Sequence, residues 1–213
     1  MIMKTYGIIL GILLSGTVLF AQTRQESTGE DKQIQTLFGE NVSNGGYGAL
    51  MFNYSNINDE DAFLFGIRGG WLIDHKLTIG LGGYGFISNM EWNYGNDRPD
   101  NFLTGGYGGL LLEPVLFAHK QVHLAFPILI GGGGVVLVDN LDWGKDYHDW
   151  FTEYGCAFFL FEPGVELEVN LVKAMRVAFA VTYRLTQDIE LGDLDENALK
   201  GFNFGLTLKF GKF

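Results

Sequence analysis

Residues 156–186 form two long arms in which apolar and polar residues alternate, joined by a short turn at residues 172–174. In the first arm, apolar side chains recur at every second position from Phe159 to Leu171, and three glutamates occupy positions between them. A period of two places these sets on opposite faces of a β-sheet. The arms are longer than the roughly five or six residues of most soluble strands. The pattern predicts a hairpin of a transmembrane β-barrel, with lipid on one side and a polar interior on the other.

The same alternation continues along the chain from residue 45 onward. It predicts eight strands, with bounds at residues 45–55, 62–73, 77–88, 102–117, 122–138, 156–171, 175–186 and 201–213. Tight turns at Asp74, His119 and Lys173 alternate with wider polar links. An even number of strands, with short turns at one rim and long loops at the other, is typical of bacterial outer-membrane proteins. The predicted fold class is all-β: a transmembrane antiparallel up-and-down β-barrel of eight strands.

The N-terminal segment has the features of a secretory signal. Lys4 precedes an apolar run at residues 6–20, and Ala21 supplies a small residue before the expected cleavage. The run is too short for a comfortable helical membrane span. We therefore expect a signal peptide at residues 1–21, a polar periplasmic tail at 22–44 and an outer-membrane barrel at 45–213.

Charge and cysteine content exclude other classes of function. The formal net charge is −11, which disfavours nucleic acid as a partner because its phosphates require a basic surface. The acidic residues concentrate in the predicted loops, where a solvated surface is the simplest interpretation and a site for a divalent cation or a cationic partner is the alternative. The single cysteine, Cys156, cannot form an internal disulfide.

The leader ending Phe20-Ala21-Gln22, the glycine-rich alternating strands, the Glu-Pro pairs at residues 113–114 and 162–163 and the final Phe213 resemble small outer-membrane β-barrel proteins of Gram-negative bacteria. The leader is most similar to those of Bacteroidetes-type bacteria. The resemblance implies a location in the outer membrane with the N-terminus in the periplasm. Phe213 resembles the signal that the barrel-insertion machinery reads, although Gly211 and Lys212 shift it out of phase with the outward aromatic residues of its strand.

The predicted inner face is charged, and an eight-stranded barrel has an interior that side chains alone can fill. Four acidic and four basic residues lie on it: Arg68, Glu113, Glu162, Glu166, Glu168, Arg176, Arg184 and Lys209. Because an unpaired buried charge is strongly destabilising, we expect these residues to pair. In a register that places Asn170 opposite Arg176, Glu162 lies opposite Arg184. The prediction is a closed lumen, and a narrow gated conduit is the alternative.

The link at residues 139–154 is the most distinctive predicted loop. Its candidate partner-binding residues are Trp143, Asp146, Tyr147, His148, Asp149 and Trp150. Their spacing matches no metal motif. Aromatic residues in a loop at the rim of the barrel also suit the membrane interface. Three interpretations remain: interfacial aromatic residues on a solvated loop, a surface for a protein or glycan partner, and a catalytic site. No nucleophile motif surrounds Ser43, Ser55 or Ser88.

The sequence thus predicts a non-enzymatic outer-membrane barrel with a charged, closed lumen. It would act as an envelope structural protein or as an accessory subunit of an outer-membrane complex. Expected partners are outer-membrane lipid, the barrel-insertion machinery and a protein in such a complex, and no cofactor or metal is expected. The alternatives are a small pore or ligand carrier, and a surface-loop enzyme acting on lipid A or peptides.

Overall fold

The computed structural model describes residues 42–58, 60–89, 101–139, 155–187, 189 and 197–213. These residues form nine strands: β1 (Asn44–Ile57), β2 (Glu60–Ile73), β3 (Leu77–Asn89), β4 (Asn101–Leu116), β5 (Val122–Ala125), β6 (Ile128–Asp139), β7 (Gly155–Val172), β8 (Met175–Thr186) and β9 (Gly201–Lys212). The predicted leader and nearly all of the tail lie outside the described residues. Among the residues that are described, no helix is long and apolar enough to cross a membrane.

The strands pair antiparallel in a sheet that closes on itself. β1 pairs with β2 on one side and with β9 on the other. β2, β3 and β4 follow in order, as do β7, β8 and β9. Both β5 and β6 lie between β4 and β7, so they occupy one position in the barrel. The prediction of an eight-stranded antiparallel barrel is therefore confirmed.

The predicted continuous strand at residues 122–138 is wrong in one respect. Its pairing is interrupted at Phe126 and Pro127. Proline has no N–H group to donate to a neighbouring strand. The chain nevertheless keeps its register across the gap, because the N–H of Phe126 donates to the carbonyl of Pro114 at 2.9 Å and the N–H of Gly164 donates to that of Pro127 at 2.8 Å. The interruption is a local loss of pairing and not a shift of the strand.

The two faces of each strand differ sharply in exposure. On β2, Phe63, Phe65 and Ile67 are 66%, 53% and 62% exposed, whereas the alternating Leu64 and Arg68 are 3% and 6% exposed. Other large apolar side chains exposed on the outer face include Phe52, Leu81, Leu110, Ile130, Phe159, Val165, Phe179 and Phe204. A water-soluble protein rarely exposes so extensive an apolar surface. The outer face is suited to lipid.

The interior has two layers, an apolar one and a charged one, whereas the sequence predicted a polar interior. Toward the long links it is filled by an apolar layer of Ile57, Leu64, Phe86, Leu103, Tyr107, Leu111, Leu129, Val135, Phe158, Leu160, Ile189 and Leu199. Ile189 and Leu199 belong to the link between β8 and β9, and the neighbouring Ala198 carbonyl accepts a hydrogen bond from the N–H of Asn58 at 3.0 Å. The described residues of this link therefore pack against the interior at this end of the barrel. Charged side chains fill the interior toward the tight turns.

Candidate functional site: the charged interior

The period of the strands places all eight predicted lumen charges on the inner face. The eight charged residues, each no more than 6% exposed, are Arg68, Glu113, Glu162, Glu166, Glu168, Arg176, Arg184 and Lys209. They come from β2, β4, β7, β8 and β9. The structure divides them into two sets. Six of them, together with His123 on β5, form what we call the charged cluster, and Glu162 and Arg184 lie in a separate network.

Lys209 is the centre of the charged cluster. Its ammonium nitrogen lies 2.9 and 3.0 Å from the two carboxylate oxygens of Glu113 and 3.1 Å from Oε2 of Glu166, and it also contacts Oε1 of Glu168. Oxygens of the three carboxylates lie within 4.8 Å of one another, a grouping that could hold a metal ion. Because the ammonium contacts all three, Lys209 supplies the positive charge that such a grouping requires.

Two arginines and one histidine complete the charged cluster. Nη2 of Arg68 lies 2.5 Å from Oε2 of Glu166 and 3.1 Å from Oε2 of Glu113. Glu168 Oε2 is 3.3 Å from Nη1 of Arg176 and 2.7 Å from Nε2 of His123. Three carboxylates are thus matched by one lysine and two arginines. The cluster neutralises itself without an external ion.

The register of the β7–β8 hairpin is the predicted one, since Asn170 lies opposite Arg176. The predicted ion pair between Glu162 and Arg184 is wrong, however. Oε1 of Glu162 instead accepts hydrogen bonds from Oγ1 of Thr182 at 2.5 Å and from Nδ2 of Asn203 at 3.0 Å. The strand pairing is interrupted between Phe161 and Gly164, beside Glu162. The hydrogen-bond partners of Glu162 therefore could not be predicted from its expected position opposite Arg184 alone.

Arg184 connects the charged layer to the apolar one. Its Nε donates to the carbonyl of Leu199 at 2.5 Å, and Nη1 donates to Oδ1 of Asn203 at 3.2 Å. Nη2 donates to Oγ of Ser55 at 3.4 Å, and Ser55 in turn donates to the carbonyl of Phe202 at 3.1 Å. Asn203 thus joins Arg184 indirectly to Glu162. Ser55, one of the serines considered as a nucleophile, is a buried structural residue.

Two aromatic residues that sequence reasoning did not assign to the site border the charged cluster. The hydroxyl of Tyr47 donates to Oε1 of Glu113 at 2.8 Å. The ring of Phe213 stacks on that of Tyr47 with centroids 5.8 Å apart, and the guanidinium of Arg176 lies 3.8 Å from the Phe213 ring centre. The register of β9 with β1 continues to Lys212 without a bulge. Phe213 therefore lies against the interior, and the alternation of its strand was the signal that could have placed it there.

A small cavity lies between the two networks in the described part of the barrel. A cavity of about 20 Å³ is bordered by Met51, Arg68, Tyr84, Leu129 and Glu162, among other residues. That volume holds about one water molecule. The predicted loop residues Trp143, Asp146, Tyr147, His148, Asp149 and Trp150 lie outside the described residues, so the structure does not place them.

These features define the class of protein: an eight-stranded transmembrane β-barrel. Among solved structures, neisserial surface protein A matches with a TM-score of 0.54 and 10% identity, over 82% of this chain and 100% of that one. The barrel of Ail from Yersinia pestis, solved with the heparin analogue sucrose octasulfate, matches with a TM-score of 0.47 and 11% identity, over 79% of this chain and 97% of that one. The N-terminal β-barrel domain of OprF from Pseudomonas aeruginosa matches with a TM-score of 0.46 and 10% identity, over 80% of this chain and 99% of that one. No protein-family model and no curated protein matches the chain.

At such low identity, the likeness to neisserial surface protein A shows the fold alone. It agrees with the closed sheet derived from the strand pairing. The function has to be argued from the chain's own residues.

Proposed function

We propose that the protein is an integral, non-enzymatic protein of the bacterial outer membrane that does not conduct. Its role is to stabilise the envelope or to serve as an accessory subunit of an outer-membrane complex, with its long loops presented to partners. The apolar outer face supports the membrane location, because exposed side chains such as Phe63 and Phe159 match a lipid surface. The likeness in fold to neisserial surface protein A supports the same location.

The filled interior is the observation that carries the proposal. Toward the long links, Leu199 and Ile189 are buried in the apolar layer at 0% and 1% exposure. Toward the tight turns, Lys209 is held by three carboxylates. An ion crossing this interior would have to displace an apolar layer and break several buried ion pairs. Both requirements oppose conduction.

The orientation is part of the same proposal. An even number of strands brings both ends of the barrel to the rim of the tight turns, since β1 begins and β9 ends there. Short turns face the periplasm in bacterial outer-membrane barrels. We place the N-terminus in the periplasm, preceded by a signal peptide at residues 1–21, and infer a Bacteroidetes-type source from the leader.

Conductance in planar bilayers tests the proposal. The purified full-length protein is added to the bilayer beside a known porin as a positive control. The shift in gel mobility between unheated and boiled samples shows separately that the added protein is a folded barrel. We expect a folded protein that produces no current steps. Reproducible unitary steps of one amplitude would overturn the proposal in favour of a small pore.

The accessory role requires a partner that recognises the loops. Pull-down from native membranes with the wild-type protein, compared with a Trp143→Ala/Trp150→Ala variant, tests it. We expect a membrane protein that the wild type retains and the variant loses. Lipid A profiles that change between the wild type and a His148→Ala variant would instead indicate a surface enzyme.

A further inference from the structure

The exposed lysines of the described residues are distributed unevenly between the two ends of the barrel. We define the tight-turn rim as residues 74–76, 117–121, 172–174 and 212. It carries four exposed lysines, Lys76, Lys120, Lys173 and Lys212, and two histidines, His75 and His119. Its acidic residue is Asp74, whose carboxylate lies 2.5 Å from the ammonium of Lys76. That hydrogen bond lowers the pKa of Asp74, so the pair is neutral and three lysines remain.

The opposite end has the reverse charge in the sequence. The four links at residues 57–61, 89–101, 139–154 and 187–200 contain sixteen acidic residues and three basic ones. The lumen contributes no net charge, because its four acids match its four bases. In a chain with a formal net charge of −11, the described residues of the tight-turn rim are therefore a basic patch. The two ends of the barrel, which would contact opposite surfaces of the membrane, therefore differ in charge.

Two turns of the tight-turn rim lie side by side and combine cations with an exposed aromatic ring. The N–H of Val115 donates to the carbonyl of Lys76 at 2.7 Å, and the rings of His75 and His119 lie 5.6 Å apart. The ammonium of Lys120 lies 5.1 Å from the ring centre of Phe117, which is 61% exposed. An aromatic ring with an ammonium group above it suits the boundary between acyl chains and headgroups, because the ring can lie among the chains while the ammonium lies at the headgroups.

We propose that the tight-turn rim binds the phosphate groups of anionic phospholipids. Phosphate oxygens accept hydrogen bonds from the lysine ammonium groups, and the Phe117 ring lies among the acyl chains below them. Each lysine near an anionic membrane surface raises the affinity for that surface about fivefold. The inference rests on the proposed membrane location, in which this rim faces the phospholipid leaflet. It goes beyond that proposal by assigning the rim a lipid class.

The composition of lipid bound to the barrel tests the inference. The full-length protein is reconstituted in nanodiscs of phosphatidylcholine with a minor fraction of phosphatidylglycerol, and the lipids that remain bound are identified by native mass spectrometry. We expect phosphatidylglycerol to be enriched over its bulk fraction. A Lys120→Gln/Lys173→Gln/Lys212→Gln variant should return to the bulk fraction, with each substitution weakening the preference about fivefold.

Lys200→Gln is the matched control, since it removes the same charge at the opposite end. It should leave the enrichment unchanged. No enrichment in the wild type, or enrichment that the triple variant retains, would overturn the inference and favour an acidic protein partner or a solvated rim. Gel mobility of unheated and boiled samples confirms that each variant is folded. A barrel that conducts but still enriches phosphatidylglycerol would refute the proposed function and leave this inference standing.

Discussion

The ammonium of Lys209 lies 2.9 and 3.0 Å from the two carboxylate oxygens of Glu113, and both side chains are 1% exposed. The residues are 96 positions apart and belong to β9 and β4, which are not neighbours in the sheet. The contact therefore spans the interior instead of joining adjacent strands. It ties opposite parts of the wall together, which backbone pairing cannot do.

Replacing Lys209 by methionine should destabilise the barrel by about 3–5 kcal/mol, because removal of one partner leaves buried charges uncompensated. Three carboxylates would then share only Arg68 and Arg176. Unfolding by guanidinium in lipid vesicles, followed by tryptophan fluorescence, measures the loss. Lys212→Met is the matched control: it removes the same charge from an exposed position, and we expect little change. Equal stability of the two variants would show that Lys209 is not the centre of a buried network.

Glu162 offers a test of hydrogen bonding against charge. Its Oε1 accepts from Thr182 and Asn203, and a glutamine oxygen can accept the same two bonds. We expect Glu162→Ala to cost about 1–3 kcal/mol, since it leaves two buried donors unsatisfied. Glu162→Gln should cost clearly less. If both variants lost the same stability in equilibrium unfolding, the charge of Glu162 would matter more than its hydrogen bonds.

The apolar layer should contribute to stability independently of the charged cluster. Leu199 is 0% exposed although it lies in a link between strands. Leu199→Ala should cost about 2–5 kcal/mol, as truncation of a buried leucine does. The adjacent Lys200→Ala is the control: it removes an exposed hydrogen bond from the ammonium to Oδ1 of Asn197, and we expect a clearly smaller loss. A thermal unfolding midpoint that is the same for both variants would mean that burial of Leu199 in the apolar layer does not stabilise the barrel.

Glycine at position 66 is required by the ring that packs over it. A Cβ added there would lie 2.5 Å from Cδ1 of Tyr84, its cross-strand partner. Gly66→Ala should therefore cost about 1–3 kcal/mol through overpacking. At Gly48 nothing lies within 4 Å of an added Cβ, so Gly48→Ala serves as the control and should be neutral or slightly stabilising. The prediction is contradicted if chemical denaturation ranks the two variants equally.

Alternation allowed the faces of the strands and the register of the β7–β8 hairpin to be predicted. The turn at Lys173 and Ala174 is short, but the register shifts between Asn170 and Val172, where the first strand of the hairpin has an irregularity. Beyond this shift Asn170 lies opposite Arg176 as expected.

Contacts across the lumen could not be predicted in this way. The partners of Lys209 come from strands whose positions depend on closure of the whole barrel, and Glu162 takes neutral partners beside an interruption in pairing. The burial of Ile189 and Leu199 was not predicted, because the link that contains them is acidic and shows no alternation of apolar and polar residues. The interruption of pairing at Pro127 could have been predicted, because proline has no N–H group to donate to a neighbouring strand.

A double-mutant cycle between Lys209 and Glu113 measures whether the interior charges stabilise one another. The free energy of unfolding is measured for the wild type, Lys209→Met, Glu113→Gln and the double variant in the same lipid vesicles. We expect the double variant to lose less stability than the two single variants together, with a coupling of about 0.5–3 kcal/mol. Additive losses would show that the two side chains do not interact and that the interior charges do not stabilise one another.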